Sequence, residues 1–539
     1  MPDGYSPFLR IPPFPGHKGG ALTRTGHSNI DVQEIAAAII AERVGGSFWG
    51  AQPDMDNNVI LLAPDSEDQL QAMLARLSRD QRSAAIAPGM HLPNHCQRLP
   101  VDCDPWHLAA SAREVWAGAN QEIALVASLS GVSMSLFGDG RFAGCDVTPE
   151  AALAEAVSGW RYISPFTCED WSPITAIAQL AAWRKLIDAN RKIDAVYGVA
   201  GWKRVTLDAM LWDGSSPVAY ARGFRSIRAT RQYQIAWKSR VASRLLAKLA
   251  NSGAHVGEIE DGFIRSVGLG ANCVPPLSTI VDFTGIYFDP NQESDLENIL
   301  QKDKFDEKLC RRAAALKNRL IEAEISKYGQ GRNDIKLTDI NRYKVLVAGQ
   351  VEDDRSICTG GAGMTNLELL ARARAREPDA HIIYKPHPDV VAGHRKGYVE
   401  TTDALRFADE IQNNAAITSL IEAVDGVHVI TSLAGFEALL RGKAVTTHGV
   451  PFYAGWGLTK DLSEVPARRT RRLSLDELVA GTLLLYPRYT DPVTRLPCSA
   501  ELLVERMAQG EARISTPLIT LREWQGRLRL LLRSFIRRH

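Results

Sequence analysis

No apolar run in this sequence approaches the ~20 residues that a membrane-crossing helix needs, which excludes a spanning segment as its organising feature. The opening stretch, MPDGYSPFLRIPPFPG, lacks the basic flank and apolar run of an export signal, so an unexported, cytoplasmic protein is expected. An excess of one charge is also missing. With 63 Lys and Arg against 62 Asp and Glu the formal net charge is +1, so no global field attracts nucleic acid, and no nucleic-acid partner is expected. The 8 cysteines form no Cys-x-x-Cys pair and sit in no His-rich tract. Zinc and redox chemistry lose their usual signature, no metal or cofactor is expected, and the thiols read as reduced.

What is present is length and ordinary composition. At 539 residues the chain exceeds the ~250–300 at which one hydrophobic core stops growing, so several domains are expected. Hydrophobic content of 45% and charged content of 23% are those of a folded, soluble chain. An internal echo organises it. Val59-Ile-Leu-Leu-Ala-Pro64 matches Val345-Leu-Val-Ala-Gly-Gln350, Leu125-Val-Ala-Ser-Leu-Ser-Gly131 matches Val429-Ile-Thr-Ser-Leu-Ala-Gly435, and Arg161-Tyr-Ile-Ser-Pro-Phe-Thr167 matches Arg488-Tyr-Thr-Asp-Pro-Val-Thr494. Residues 58–185 thus read as a worn copy of 344–510, with Ser133 where the later copy has Glu437. Between the copies, apolar runs at 195–199, 217–220 and 255–259 alternate with helical patterns, the signature of a doubly wound parallel α/β sheet.

The expected division is an N-terminal tail at 1–57, a degenerate Rossmann-like remnant at 58–160 and a linker or crossover helix at 161–192. Rossmann-like domains follow at 193–338 and 339–485, then a crossover segment with a C-terminal helix at 486–539.

Five segments carry chemistry. Glu258-Ile-Glu-Asp-Gly-Phe-Ile-Arg-Ser-Val-Gly-Leu-Gly270 ends a strand in adjacent carboxylates, Glu260 and Asp261, at the C-terminal sheet edge where open α/β folds bind ligands. A carboxylate there can act as base or nucleophile; a solvated acidic turn is the alternative. His381-Ile-Ile-Tyr-Lys-Pro-His-Pro388 ends a strand in Lys385 and His387, a point charge and a ring N–H held by prolines and suited to a phosphate. In Val429-Ile-Thr-Ser-Leu-Ala-Gly-Phe-Glu-Ala-Leu-Leu440, Thr431 and Ser432 open a helix and either cap it or hold a phosphate. Glu437 is placed to accept from ribose hydroxyls or to serve as a capping partner. Pro451-Phe-Tyr-Ala-Gly-Trp-Gly457 offers Tyr453 and Trp456 either for stacking on a sugar or for core packing. Trp202-Lys203-Arg204 and Arg265 could present cations to an acidic sugar or form a solvated basic turn.

At the far end, Leu518 to His539 sets Arg522, Arg527, Arg529, Arg533, Arg537 and Arg538 among Leu521, Trp524, Leu528 and Phe535. That pattern is a basic amphipathic helix, suited to the anionic inner-membrane surface or to docking on the protein itself.

In combination, Glu260-Asp-Gly-Phe-Ile-Arg265, Gly349-Gln-Val-Glu-Asp-Asp354, Tyr384-Lys-Pro-His-Pro-Asp389, Thr431-Ser-Leu-Ala-Gly-Phe-Glu437 and Pro451-Phe-Tyr-Ala-Gly-Trp-Gly457 resemble the capsule-synthesis β-Kdo transferases of the KpsC and KpsS type, over roughly residues 160–510. The resemblance implies a GT-B-like pair of Rossmann-type domains, acceptor side first and donor side second, with 58–160 a degenerate donor domain. It implies a CMP-Kdo donor, a phospholipid-linked Kdo acceptor, no metal, and other capsule synthesis or export proteins as partners at the inner membrane. Asp261 would be the catalytic carboxylate with Glu260 beside it, and His387, Lys385, Ser432, Thr431, Glu437 and Gln350 would hold the donor nucleotide. Arg265, Lys203, Tyr453 and Trp456 would touch sugar or acceptor. Retention of the β anomer would follow from two displacements. The sequence departs from a tandem enzyme of this type, because the first copy lacks the acidic and Lys-Pro-His-Pro elements, so one active module is expected. The competing readings are a noncatalytic glycolipid-binding export protein and a sialyltransferase-like enzyme using another CMP-activated acidic sugar.

Overall fold

The computed structural model describes residues 6–56, 58–78, 80–223, 233–266, 273–326, 329–330, 341–393, 395–512 and 514. The basic helix expected at 518–539 lies outside them. Among the described residues no helix is long and apolar enough to cross a membrane. The chain forms two compact units, one drawn from Met1–Asp194, Asp208–Ala219 and Val493–Leu496, the other from Ala195–Leu207, Tyr220–Pro492 and Pro497–His539.

The first unit is built on a parallel five-stranded sheet in the order Cys96–Arg98, Arg82–Ala85, Val59–Ala63, Glu114–Gly118, Met134–Phe137. Val59–Ala63 is wholly apolar and wholly buried, as the central strand of a sheet covered on both faces must be. Ile60, Leu62, Leu70, Met73 and Trp116 form part of its core.

The segment expected as a tail is instead folded into this unit. Phe8 and Leu9 have no exposed surface, Val32–Glu42 is a helix capped by Asp31, and Thr23–Thr25 pairs antiparallel with Trp160–Ile163. Apolar side chains spaced among the prolines and glycines of this stretch find partners only in three dimensions, which is why a linear reading missed them.

The second unit carries two sheets. One, of seven strands, has the order Tyr220–Ala221, Ile193–Tyr197, Tyr233–Ala236, His255–Asp261, Ser278–Asp282, Arg488–Thr490, Pro497–Cys498. Parallel pairing links Tyr220–Ala221 to Ile193–Tyr197 and Tyr233–Ala236 to His255–Asp261, whereas pairing from His255–Asp261 onward is antiparallel. The sheet is therefore mixed rather than parallel throughout: Ser278–Asp282 turns back against His255–Asp261, and Arg488–Thr490 and Pro497–Cys498, reached after the six-stranded sheet, extend that antiparallel edge. The other sheet is parallel and six-stranded, in the order Glu410–Ile411, His381–Lys385, Lys344–Ala348, Gly426–Val429, Ala444–Thr447, Lys460–Asp461. The architecture is the GT-B-like pair of Rossmann-type domains, preceded by a third Rossmann-like sheet.

The six-stranded sheet repeats the strand order of the first unit's sheet, so the duplication is structural. The echo at 161–167 and 488–494 holds in detail. Each copy pairs two antiparallel strands, places a non-glycine residue in left-handed conformation between them (Cys168 at φ 62°, Arg495 at φ 67°), and starts a helix at a serine cap, Ser172 or Ser499. The echo at 125–131 does not hold. Leu125–Leu129 lies inside the helix Glu122–Leu129, whereas Val429 ends a strand. The helix following Gln121 is the counterpart of the one following Ser432, and Val126, not Ser133, stands where Glu437 does. Short runs of small and apolar residues suit both periods, so similarity of composition misaligned them.

His428, on the strand Gly426–Val429, and His448, just past the adjacent strand Ala444–Thr447, are buried with Nδ1 and Nε2 3.1 Å apart. Burial first, and then the positive charges around them, push His428 down to about 3; burial and Arg372 push His448 down to about 4. The folded protein refuses protons that an unfolded histidine accepts near pH 6.5. Stability thus rises with pH through this window and is lost as pH falls from about 6.5 toward 4. Thermal melts across that range are expected to show the decline, with a shallower slope in His448→Gln; an unchanged slope in that variant refutes the assignment.

Candidate active site

Asp261 is the last residue of His255–Asp261, at the C-terminal edge of the seven-stranded sheet. Its carboxylate is gripped from both sides, Oδ1 by Lys203 Nζ at 2.9 Å and Oδ2 by Arg265 Nε at 2.6 Å. Lys203 belongs to the turn Gly201–Lys203 that follows Ile193–Tyr197, and its ammonium lies 3.2 Å from the centroid of the Trp237 ring. Arg265 is anchored by Ser266 Oγ at 2.8 Å and the Val274 carbonyl at 3.0 Å. Burial alone would raise the Asp261 pKa, but Lys203 and Arg265 overcome it and hold the carboxyl below its ordinary value. Burial likewise outweighs Asp261 at Lys203 and brings its ammonium down to about 8.

Lys203 and Arg265, expected to touch sugar or acceptor, are found with their charges on Asp261, since cations this buried require a partner. Glu260 lies beside it, with Oε1 accepting from the Asp261 backbone N–H at 3.0 Å. Gly262 is required for close approach: a Cβ there would lie 2.1 Å from Ser278 Oγ, which is itself bound to the Ile264 carbonyl.

On the six-stranded sheet, His387 caps the helix Pro388–Val391, its Nδ1 accepting from Asp389 N–H at 3.2 Å. Burial lowers the pKa of this ring, so a neutral imidazole with Nε2–H free to donate is the favoured form. Lys385 is buried and gives its ammonium to the carbonyl of Asn413 at 2.7 Å. The Gln350 amide clamps the Thr431 turn, accepting from Thr431 N–H at 2.9 Å and donating to Thr431 Oγ1 at 3.2 Å. Ser432 caps Leu433–Leu440 through Ala434 N–H, and Glu437 is buried on that helix.

The expectation for Tyr453 and Trp456 is corrected. Both are fully buried, Tyr453 donating its hydroxyl to the Ser432 carbonyl and Trp456 its indole N–H to the Phe452 carbonyl at 2.8 Å. Neither presents a face to a sugar. Sequence shows the aromatic cluster but not its partners, among them Arg469, which is buried against the carbonyls of Pro451 and Ala454.

Two contacts tie the acidic turn to the six-stranded sheet. Phe263, two residues beyond Asp261, packs against Phe452 at 4.9 Å and Phe436 at 6.4 Å between ring centroids. Arg355 forks onto the buried Glu258, which also meets Lys238 at 3.2 Å. The consecutive residues Asp354 and Arg355 thus face both clusters: Asp354 acts on His387, and Arg355 feels Glu258 and Glu260. Sequence reading missed Arg355 and Trp237, whose roles have no local signal.

The first unit keeps this frame and changes its polar groups. With Val59–Ala63 laid on Lys344–Ala348, the strand registers set Ile86 at the place of Lys385 and Pro88 at that of His387. Asp65 replaces Gln350 and accepts from Asn120 N–H at 3.0 Å, much as Gln350 accepts from Thr431. Arg10 stands as far before Leu22 as Arg265 does before Leu277, but its fork closes on Glu122.

Comparison with known proteins places these features in context. A family model described as "Capsule polysaccharide biosynthesis protein" matches residues 234–336 and 311–489. The capsule polysaccharide modification protein LipA of Neisseria meningitidis serogroup A is 42% identical over 348 residues, covering 63% of this chain and 49% of LipA, so the match spans about half of that relative. The lipopolysaccharide-processing protein LpsZ of Rhizobium meliloti is 41% identical over 330 residues, 58% of this chain and 73% of LpsZ. Among solved structures, the Thermosulfurimonas dismutans KpsC β-Kdo 2,4 transferase superposes with TM-score 0.52 at 32% identity, covering 58% of this chain and 98% of that one.

Proposed function

The chain belongs to the capsule polysaccharide biosynthesis protein family, and from that membership we propose that it is a glycosyltransferase moving β-Kdo from CMP-Kdo to a lipid-linked Kdo acceptor. The observation that carries this reading is Asp261 held ionised between Lys203 and Arg265, on a turn bolted through Phe263 to the sheet bearing His387 and Ser432. The similarity to a solved β-Kdo transferase over nearly its whole length supports the choice of sugar.

In the proposed reaction an Asp261 oxygen attacks the anomeric carbon of Kdo, and the bond from that carbon to the phosphate oxygen breaks, CMP leaving with the electron pair. An acceptor hydroxyl then attacks the same carbon, gives up its proton to solvent water, and displaces the carboxylate with the electron pair of its bond to that carbon, so two inversions give net retention. The Nε2–H of His387 and the backbone N–H groups after Ser432 would receive the departing phosphate, where partial positive charge at a helix start favours it. Gln350 and Tyr453 hold that turn in place. The first unit lacks the cationic pair and would contribute no second active site. Association with the inner-membrane surface, through the basic segment beyond residue 514, and with other capsule proteins belongs to the same proposal.

Incubation of the protein with CMP-Kdo and a Kdo-primed acceptor should release CMP and add one Kdo in β linkage, read by product mass and NMR. Absence of product with CMP-Kdo, together with turnover of CMP-sialic acid, would instead favour the sialyltransferase-like reading.

A further inference from the structure

Of Lys203, Arg204 and Arg265, which follow the strands Ile193–Tyr197 and His255–Asp261, Lys203 and Arg265 are consumed by Asp261. Arg204 is not. Its guanidinium stacks on the Tyr220 ring at 4.3 Å, and among the described residues it has no hydrogen bond or ion pair. Its Nε is buried without a partner. Leaving a buried donor unmade is unfavourable, and more so when the group is charged. An arginine held over an aromatic ring, with its fork uncommitted among the described residues, is preorganised for a planar or tetrahedral oxyanion.

Its position says which substrate carries that anion. Lys203 reaches over Trp237 toward Asp261, whereas the next residue, Arg204, stacks on Tyr220 of the strand Tyr220–Ala221. In the strand order, Tyr220–Ala221 and His255–Asp261 are separated by Ile193–Tyr197 and Tyr233–Ala236. At about 4.8 Å per strand the two ends lie roughly 14 Å apart along one sheet edge. That is too far for a group on the sugar ring under attack at Asp261. It suits the next part of the molecule receiving the sugar, on the sheet that does not carry the nucleotide-binding turn.

We propose that Arg204, supported by Tyr220, is the anion-binding residue of the acceptor subsite, taking a carboxylate or phosphate of an acidic acceptor. The proposal rests on the transferase reading and adds to it the chemistry by which the acceptor is recognised. It gives the acceptor side its own specificity element, separate from the residues that hold the donor.

The test compares wild type with Arg204→Gln and Arg204→Lys, using CMP-Kdo and a synthetic lipid-linked Kdo acceptor. Loss of one charged hydrogen-bonded contact is expected to lower kcat/KM for acceptor about 10- to 100-fold. The donor KM should stay unchanged and kcat should recover at saturating acceptor. Lysine should rescue only in part. Acceptors with the carboxylate esterified, or with the phosphate omitted, identify the source: wild type should lose affinity for one of them, and Arg204→Gln should no longer distinguish it from the parent. Equal losses for charged and neutralised acceptors, or a raised donor KM, would overturn the assignment. If the wild type turns over no CMP-Kdo, the transferase reading fails, and direct titration of a Kdo oligosaccharide still decides the subsite: weaker binding to Arg204→Gln supports it, and equal binding rejects it.

Discussion

Replacing Asp261 by Asn is expected to stop transfer while leaving the protein folded. The loss should reach at least about 10⁴-fold in kcat, the scale on which removal of a covalent nucleophile acts. Asparagine is close in shape and keeps an oxygen to accept from Lys203 or Arg265, which now hold the two carboxylate oxygens at 2.9 and 2.6 Å. The removed charge leaves two buried cations facing each other, so the variant should also be less stable, by up to about 3–5 kcal/mol. Circular dichroism and CMP binding separate that penalty from the chemical defect: a folded variant that binds CMP and is inactive supports the nucleophile, and a folded variant with near wild-type turnover excludes it. In wild type the carboxyl pKa is held below its ordinary value, so loss of activity on acidification is expected only beneath the usual carboxylate range.

Phe263→Ala is expected to act chiefly on stability. The ring is buried and sits at 4.7 Å from Tyr287, 4.9 Å from Phe452, and 6.4 Å from both Phe436 and Tyr486. Truncation of such a side chain costs about 3–5 kcal/mol through lost contacts and the cavity left behind. Because Phe263 joins the turn bearing Asp261 to the core that also holds Phe436 and Phe452, kcat should fall more than CMP affinity, whose residues lie on the other sheet. Denaturant melts and donor titration check both parts, and Phe263→Leu should restore most of the stability. A loss below about 1 kcal/mol, the range of a surface substitution, would show that the aromatic cluster does not fasten the turn.

Much of the second unit was legible without coordinates. The runs Lys344–Ala348, His381–Lys385 and Gly426–Val429 are apolar stretches with polar residues at or just past their ends, Gln350, Lys385 and Thr431 among them, and each became a parallel strand with those residues at its C-terminal end. Strand period and turn chemistry are local, so they survive reading along the chain. The aromatic loop was legible as a cluster, but its burial was not, since the carbonyl that binds the Tyr453 hydroxyl belongs to Ser432. The middle echo was misaligned because its small and apolar residues suit a helix in one copy and a strand end in the other.

By itself the sequence determined the α/β class, the duplication, and which carboxylate, imidazole and hydroxyl groups stand at strand ends, because these depend on residue type and spacing over a few neighbours. Tertiary structure alone decided the allocation of charge. Lys203 and Arg265 close on Asp261, Arg355 on Glu258, and Arg204 lies against Tyr220 with no hydrogen bond or ion pair to its fork among the described residues. Ion pairing depends on distance through space and on how far each group is withdrawn from water, and neither quantity is written along the chain.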